Sequence, residues 1–183
     1  MGLVLKILKD TYMKKQEEKN SANREKPKRQ RRVEGAVMAI HIDGQYYVYM
    51  QSLPYSQEVV FDYHTDECLT DLTPLLTARE LFRVCVYAHV ISDGIWRKIG
   101  KLPIRDDLKE PKMKYIYDRY SKEFFLYKPG ETNIPMRPAT KEQCRGLERT
   151  SVWGRHNVED RIRGYYNNKP CQWIIDEYEI FKD

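Results

Sequence analysis

No stretch of this 183-residue chain stays apolar for the roughly 20 positions that a membrane-spanning helix needs. The opening run "MGLVLKILKD" is interrupted by Lys6 and Lys9. No small-residue cleavage site follows it, which argues against a secretory signal. Lys6 also stands where myristoylation of Gly2 wants Ser or Thr. These absences predict a cytoplasmic protein with no membrane association. The four cysteines, Cys68, Cys85, Cys144 and Cys171, form no Cys-x-x-Cys pair and have no histidine at metal-ligand spacing. They read as reduced, structural thiols. His-x-x-x-His, His-Glu-x-x-His and a glycine-rich phosphate loop are all missing. Hence no metal and no cofactor is expected.

Charge is present but unevenly spread. Residues 1–32 hold eleven Lys or Arg against four Asp or Glu, a net of +7. The whole chain carries +5, so residues 33–183 carry −2. The densest basic run is "REKPKRQRR", Arg24 to Arg32, which could hold nucleic acid through phosphate contacts. No aromatic residue falls between Met13 and Val33, so bases find no stacking platform there. The first twelve residues have Leu3, Ile7 and Leu8 at helical spacing, and the polar stretch after them reads as a linker. The division is a basic leader over 1–32 and a single domain over 33–183, which is expected to fold alone.

From Val33 the period changes to two. "VEGAVMAIHID" and "GQYYVYMQSL" flank Asp43-Gly44, a hairpin turn signal. "EVVFDYHTDE" is a third strand, and "LFRVCVYAHVI", rich in β-branched and aromatic residues, reads as a central strand carrying a buried His89. "KYIYDRY" and "EFFLYKPG" form another hairpin. Thr140 and Gln143 have capping-box spacing before "KEQCRGL". Asn157 can cap a helix "VEDRIRGYY", and "CQWIIDEYEIF" reads as a closing strand. The predicted fold is mostly β (α+β): a curled antiparallel sheet or small barrel with two or three short helices.

The stretch "GLERTSVWGRHNVEDRIRGYY" gathers Glu148, Trp153, His156, Glu159, Asp160 and Arg161. Glu148, His156 and Glu159 are the residue types a hydrolase would use, provided they converge. The same residues also make an ordinary helix start. Val158, Ile162 and Tyr165 or Tyr166 share one face, and Glu159 pairs with Arg163 four residues on. Trp153, Asn157, Ile162 and Trp173 are therefore assigned structural roles, and no catalytic residue is assigned.

The order of three segments, "GAVMAIHIDGQYYVYMQ", "LFRVCVYAHVISDGIWRKIGKLPI" and "RPATKEQCRGLERTSVWGRHNVEDRIRGYYNNKPCQW", resembles the immunity protein 26 family of bacterial polymorphic toxin systems. The resemblance runs from about Val33 to Trp173 and leaves the leader unaccounted for. It implies a mostly β protein that binds and blocks a cognate toxin without turnover, and it supplies no catalytic residues. A toxin that cuts nucleic acid presents a basic cleft, which an acidic patch would fill. Two acidic stretches offer themselves. One holds Asp62, Tyr63, Asp66, Glu67 and Asp71, and the other Asp176, Glu177, Tyr178 and Glu179. The alternatives are a β module that binds nucleic acid through its basic arm and an uncharacterised hydrolase.

Overall fold

The computed structural model describes residues 28–131 and 136–182. Strand β1 (Ala36–Ile42) turns through Asp43 and Gly44 into β2 (Tyr46–Ser52). Both turn residues take positive φ, 52° and 73°, which glycine and aspartate tolerate best. Strands β3 (Glu58–Thr65) and β4 (Glu80–Val86) continue the antiparallel meander, and β5 (Arg97–Lys101) returns to pair with β1. A second sheet holds β6 (Lys114–Tyr117), β7 (Phe124–Tyr127), β8 (Arg137–Ala139) and β9 (Glu148–Arg149). The short β10 (Val152–Trp153) crosses back and pairs in parallel with β4. The strand orders are β10-β4-β3-β2-β1-β5 and β8-β7-β6-β9. The fold is α+β and mostly sheet, and among the described residues it forms no closed barrel.

Among the described residues there are five short helices rather than two or three: α1 (Ala88–Ser92), α2 (Asp106–Lys109), α3 (Lys141–Cys144), α4 (Arg155–Tyr166) and α5 (Gln172–Phe181). Two of them replace predicted strands. "LFRVCVYAHVI" stops being a strand at Val86 and closes as α1, which ends at Gly94 with φ 72°. His89 is therefore exposed on a helix rather than buried in a strand. "CQWIIDEYEIF" is α5, not a closing strand. Its half-buried residues Trp173, Glu177 and Phe181 recur every four positions, and Gln172 donates to Asp176 across one turn.

The six-stranded sheet is buried on both faces. Met38, Ile40, Val48, Met50, Phe82 and Val84 pack beneath α4, with Trp96 and Trp153. Val37, Ala39, Tyr49, Val59 and Phe61 point the other way, against Leu75 and Leu108. This explains why "AVMAI" reads as an unbroken apolar run: a strand covered on both sides shows no polar alternation.

The last residues of the leader are tied to this sheet. The Gln30 side-chain amide donates to the Trp96 carbonyl at 2.6 Å and accepts from the Lys98 N–H at 3.0 Å. Arg32 pairs with Glu58 at 2.6 Å and donates to the Gln57 carbonyl at 2.9 Å. The Glu58 side chain has 0% exposure. Burial pushes its carboxyl above the usual range, and Arg32 opposes that push. The division after Arg32 thus cuts through a buried ion pair.

Arg32→Ala should destabilise the fold by about 3 kcal/mol, since it strands a buried carboxylate. A carboxyl whose folded pKa is raised stabilises the fold when protonated. That contribution is complete below the unfolded value of about 4.3 and is lost as pH rises through the folded pKa. The deficit of Arg32→Ala should therefore shrink as pH falls toward that range. Urea denaturation across pH, with Arg32→Ala/Glu58→Gln recovering much of the loss at neutral pH, checks this.

Candidate functional site

Helix α4 organises the charged residues near the C-terminal end. Gly154 caps it, and Asn157 sits in the first turn instead, accepting the Gly154 N–H at 3.2 Å. Asn157 thus stabilises the helix start from inside it rather than as the cap itself. Val158 and Ile162 are fully buried against the sheet. Glu159 accepts the Trp96 indole N–H at 3.0 Å and is flanked by Arg155 and Arg163, each at 3.7 Å. Arg161 makes a bidentate pair with Glu148 at 2.7 and 2.9 Å. Its guanidinium lies over the rings of Phe82 and Trp153.

Glu159 and Arg161 are two positions apart, so they leave the helix on nearly opposite sides. Glu148 follows Arg161, while His156 is exposed and faces His89 and Asp93. The three residues of the hydrolase reading are therefore not brought together. Among the described residues, no group of His, Cys, Asp and Glu is placed to hold a metal ion.

A polar seam joins α5 to the second sheet. Arg149, mostly buried, stacks on Trp173 with 3.9 Å to the ring centre and pairs with Glu177 at 2.9 Å. The Tyr115 hydroxyl donates to Glu177. Burial pushes the Glu177 carboxyl and the Tyr115 phenol upward, and Glu177 pushes the phenol further. Trp173 also packs against Trp153, with 4.7 Å between ring centres.

The nine predicted toxin-binding residues separate into spent and free. Asp62 accepts from Arg79, Tyr165 and Tyr166 and so latches β3 to α4. Burial pushes its carboxyl upward, but those bonds outweigh it and hold the group below the ordinary value. Tyr63 packs on the core beside Tyr49. Asp71 accepts the Thr73 N–H at 3.0 Å and its hydroxyl at 2.7 Å, closing the single turn Thr73–Leu76. Asp176 pairs with Arg119, Glu177 lies in the seam, and Glu179 approaches Lys182 at 3.7 Å. Tyr178 is 69% exposed. Asp66 and Glu67 are exposed, and their carboxylates have no partner among the described residues. Of the basic run, Arg32 is spent on Glu58, and residues 24–27 lie outside the described residues.

Asp66 and Glu67 have neighbours that the sequence did not single out. Cross-strand register places His41 opposite Tyr47 and Tyr47 opposite Thr65. The His41 and Tyr47 rings stack at 4.2 Å and 4°. The buried Tyr49 hydroxyl contacts Thr65 Oγ1 at 2.5 Å and accepts the Leu69 N–H at 3.0 Å, while Thr65 donates to the Glu67 carbonyl at 2.6 Å. The acidic loop is thus pinned beside a flat ring pair. The signal for this was the hairpin alternation, which puts His41 and Tyr47 at paired positions.

No family model matches the chain, and neither the curated proteins nor the solved structures compared contain a significant match. No helix among the described residues is long and apolar enough to cross a membrane.

Glu148→Gln should cost about 1–2 kcal/mol, because it removes the charge from a bidentate, half-buried pair. His156→Ala should stay within about 0.5 kcal/mol, as an exposed substitution does. Chemical denaturation of both variants checks the contrast, and equal stabilities would contradict the assigned geometry.

Proposed function

We propose that this chain is an immunity protein that neutralises a cognate toxin by stoichiometric binding. One observation carries the choice of surface: Asp66 and Glu67 are free carboxylates on a pinned loop beside the exposed His41, which is stacked on the half-buried Tyr47. Free acids steer a basic partner and speed encounter. Aromatic faces supply contact area at low entropic cost. The net −2 of residues 33–183 has the sign that suits a cationic cleft. The resemblance in segment order to the immunity protein 26 family supports the same reading. The acids of α5 are less suited, since salt bridges already hold them. A stable inhibitor interface buries about 800 Å² per partner, so the loop and ring pair would form its centre rather than its whole.

Co-expression with the product of the adjacent upstream gene should rescue growth from that product's toxicity, and the two proteins should co-purify. Titration of toxin activity should end near one equivalent. Asp66→Lys/Glu67→Lys should slow association by about tenfold or more at low salt and less at high salt, where screening is stronger. Its thermal midpoint should match wild type, because exposed unpaired charges contribute little to stability. Inhibition that keeps growing with time at far below one equivalent would rule out the binding mechanism.

A further inference from the structure

A cavity, independent of the toxin reading, lies where β4 faces β6 and β9. Its volume is about 400 Å³, and its charged walls are Arg83, Lys112 and Lys114 together with Glu80 and Glu148. Two of its cations are deeply buried: Lys114 and Arg83 each retain 3% exposure. Lys114 Nζ donates to the Arg83 carbonyl at 2.9 Å. That is one acceptor for a group with three N–H donors. Arg83 spends its two terminal nitrogens on the Leu108 and Glu110 carbonyls and on Glu80, and its Nε–H has no acceptor among the described residues.

The charges do not balance locally. Glu80 is shared by Arg83 and Lys112, and Glu148, opposite Lys114 on β9, is committed to Arg161. Lys114 is left without a salt bridge of its own, since Arg161 holds the one carboxylate, Glu148, that acts on it. A buried charge without a counterion is costly, and burial indeed pushes the Lys114 amine downward. The missing charge is one negative charge, and the open donors are few. The remaining walls are Glu80 and Glu148, both already salt-bridged, Gly146, and the apolar Leu81, Phe82, Met113 and Leu147.

We propose that this cavity binds a small monocarboxylate, its carboxylate on Lys114 with Arg83 behind it and its short apolar tail against Leu81, Met113 and Leu147. A carboxylate supplies the single charge and acceptor oxygens for the open N–H groups. A phosphate brings more charge and more oxygens than these donors satisfy. The site needs no toxin, so its test is separate from that of the proposed function.

Hexanoate is the probe. Titrated into the full chain and followed by calorimetry, it should bind saturably and raise the thermal midpoint above that seen in sodium chloride of equal ionic strength. Hexanol and inorganic phosphate should not. Lys114→Met should weaken hexanoate by about tenfold or more, the scale of one charge-assisted hydrogen bond. In wild-type chain carrying ¹³C-methyl methionine, the Met113 resonance should move with the same midpoint, while Met38 and Met50 in the first core stay still. If Lys114→Met does not fold, the Met113 shift decides alone. Equal binding of hexanol, tighter binding of phosphate, undiminished affinity in Lys114→Met or a motionless Met113 would each overturn the assignment.

Discussion

Arg161 is the joint between the two sheets. Its helix lies on the six-stranded sheet, its guanidinium stacks on Phe82 and Trp153 of that sheet, and its donors end on Glu148 of the other. The guanidinium suits this role because it is planar, always charged and bidentate, so one group can stack and pair at once. Helix α5 is attached by the same chemistry through Arg149, Glu177 and Tyr115. A junction of this kind differs from an apolar one. Its net contribution is modest, since desolvation offsets attraction, but removing one partner strands a charge and costs far more than the pair contributes. Of the acids in that dense stretch, Glu148 ties the two sheets together and Glu159 holds Trp96, while His156 stays at the surface.

The first sheet imposes a parallel constraint. With apolar packing on both faces, any charge that enters it must be neutralised at its own position. Glu58 is met by Arg32, and Arg83 by Glu80 and two backbone carbonyls. This is why the basic leader reaches further into the fold than its composition implies. Gln30 completes the arrangement by offering its side-chain amide to β5 as another strand would offer its backbone. Within residues 28–32, Lys28, Arg29 and Arg31 are exposed, while Gln30 and Arg32 are half-buried against the sheet.

Local signals in the sequence were legible where they are self-contained. The Asp43-Gly44 hairpin and the Thr140–Gln143 capping box appear in the fold, the latter with both reciprocal hydrogen bonds. The fold class could be read as well, because period-two runs dominate from Val33 onward. Elements that depend on tertiary contacts were not legible. "AHVIS" and "QWIIDEYEIF" are short, apolar and β-branched, so periodicity cannot separate strand from helix. Asn157 was read as a cap because its type fits, yet Gly154 caps three residues earlier and Asn157 reaches back to it. The acidic stretches show the same limit more sharply. Composition marks Asp62, Asp71 and Asp176 as surface charge, but Arg79, Thr73 and Arg119 claim them in space.

What separates Asp66 and Glu67 from the other acids of the two acidic stretches is therefore not charge but the lack of an internal claimant. Their loop is nevertheless ordered from beneath by the buried Tyr49, whose hydroxyl meets both Thr65 and the Leu69 N–H. That combination matters for binding. A flexible acidic loop would lose conformational entropy on docking, whereas a loop already held by buried hydrogen bonds gives up little. A paired acid would have to exchange one partner for another, and the old salt bridge would be subtracted from the new. Pinned backbone with unpaired carboxylates avoids both costs. In this chain that combination coincides with the end of the sheet, where His41 and Tyr47 lie stacked across neighbouring strands. The rigid core thus does more than hold the fold: it holds the backbone of the loop and the ring pair on which the proposed interface is centred.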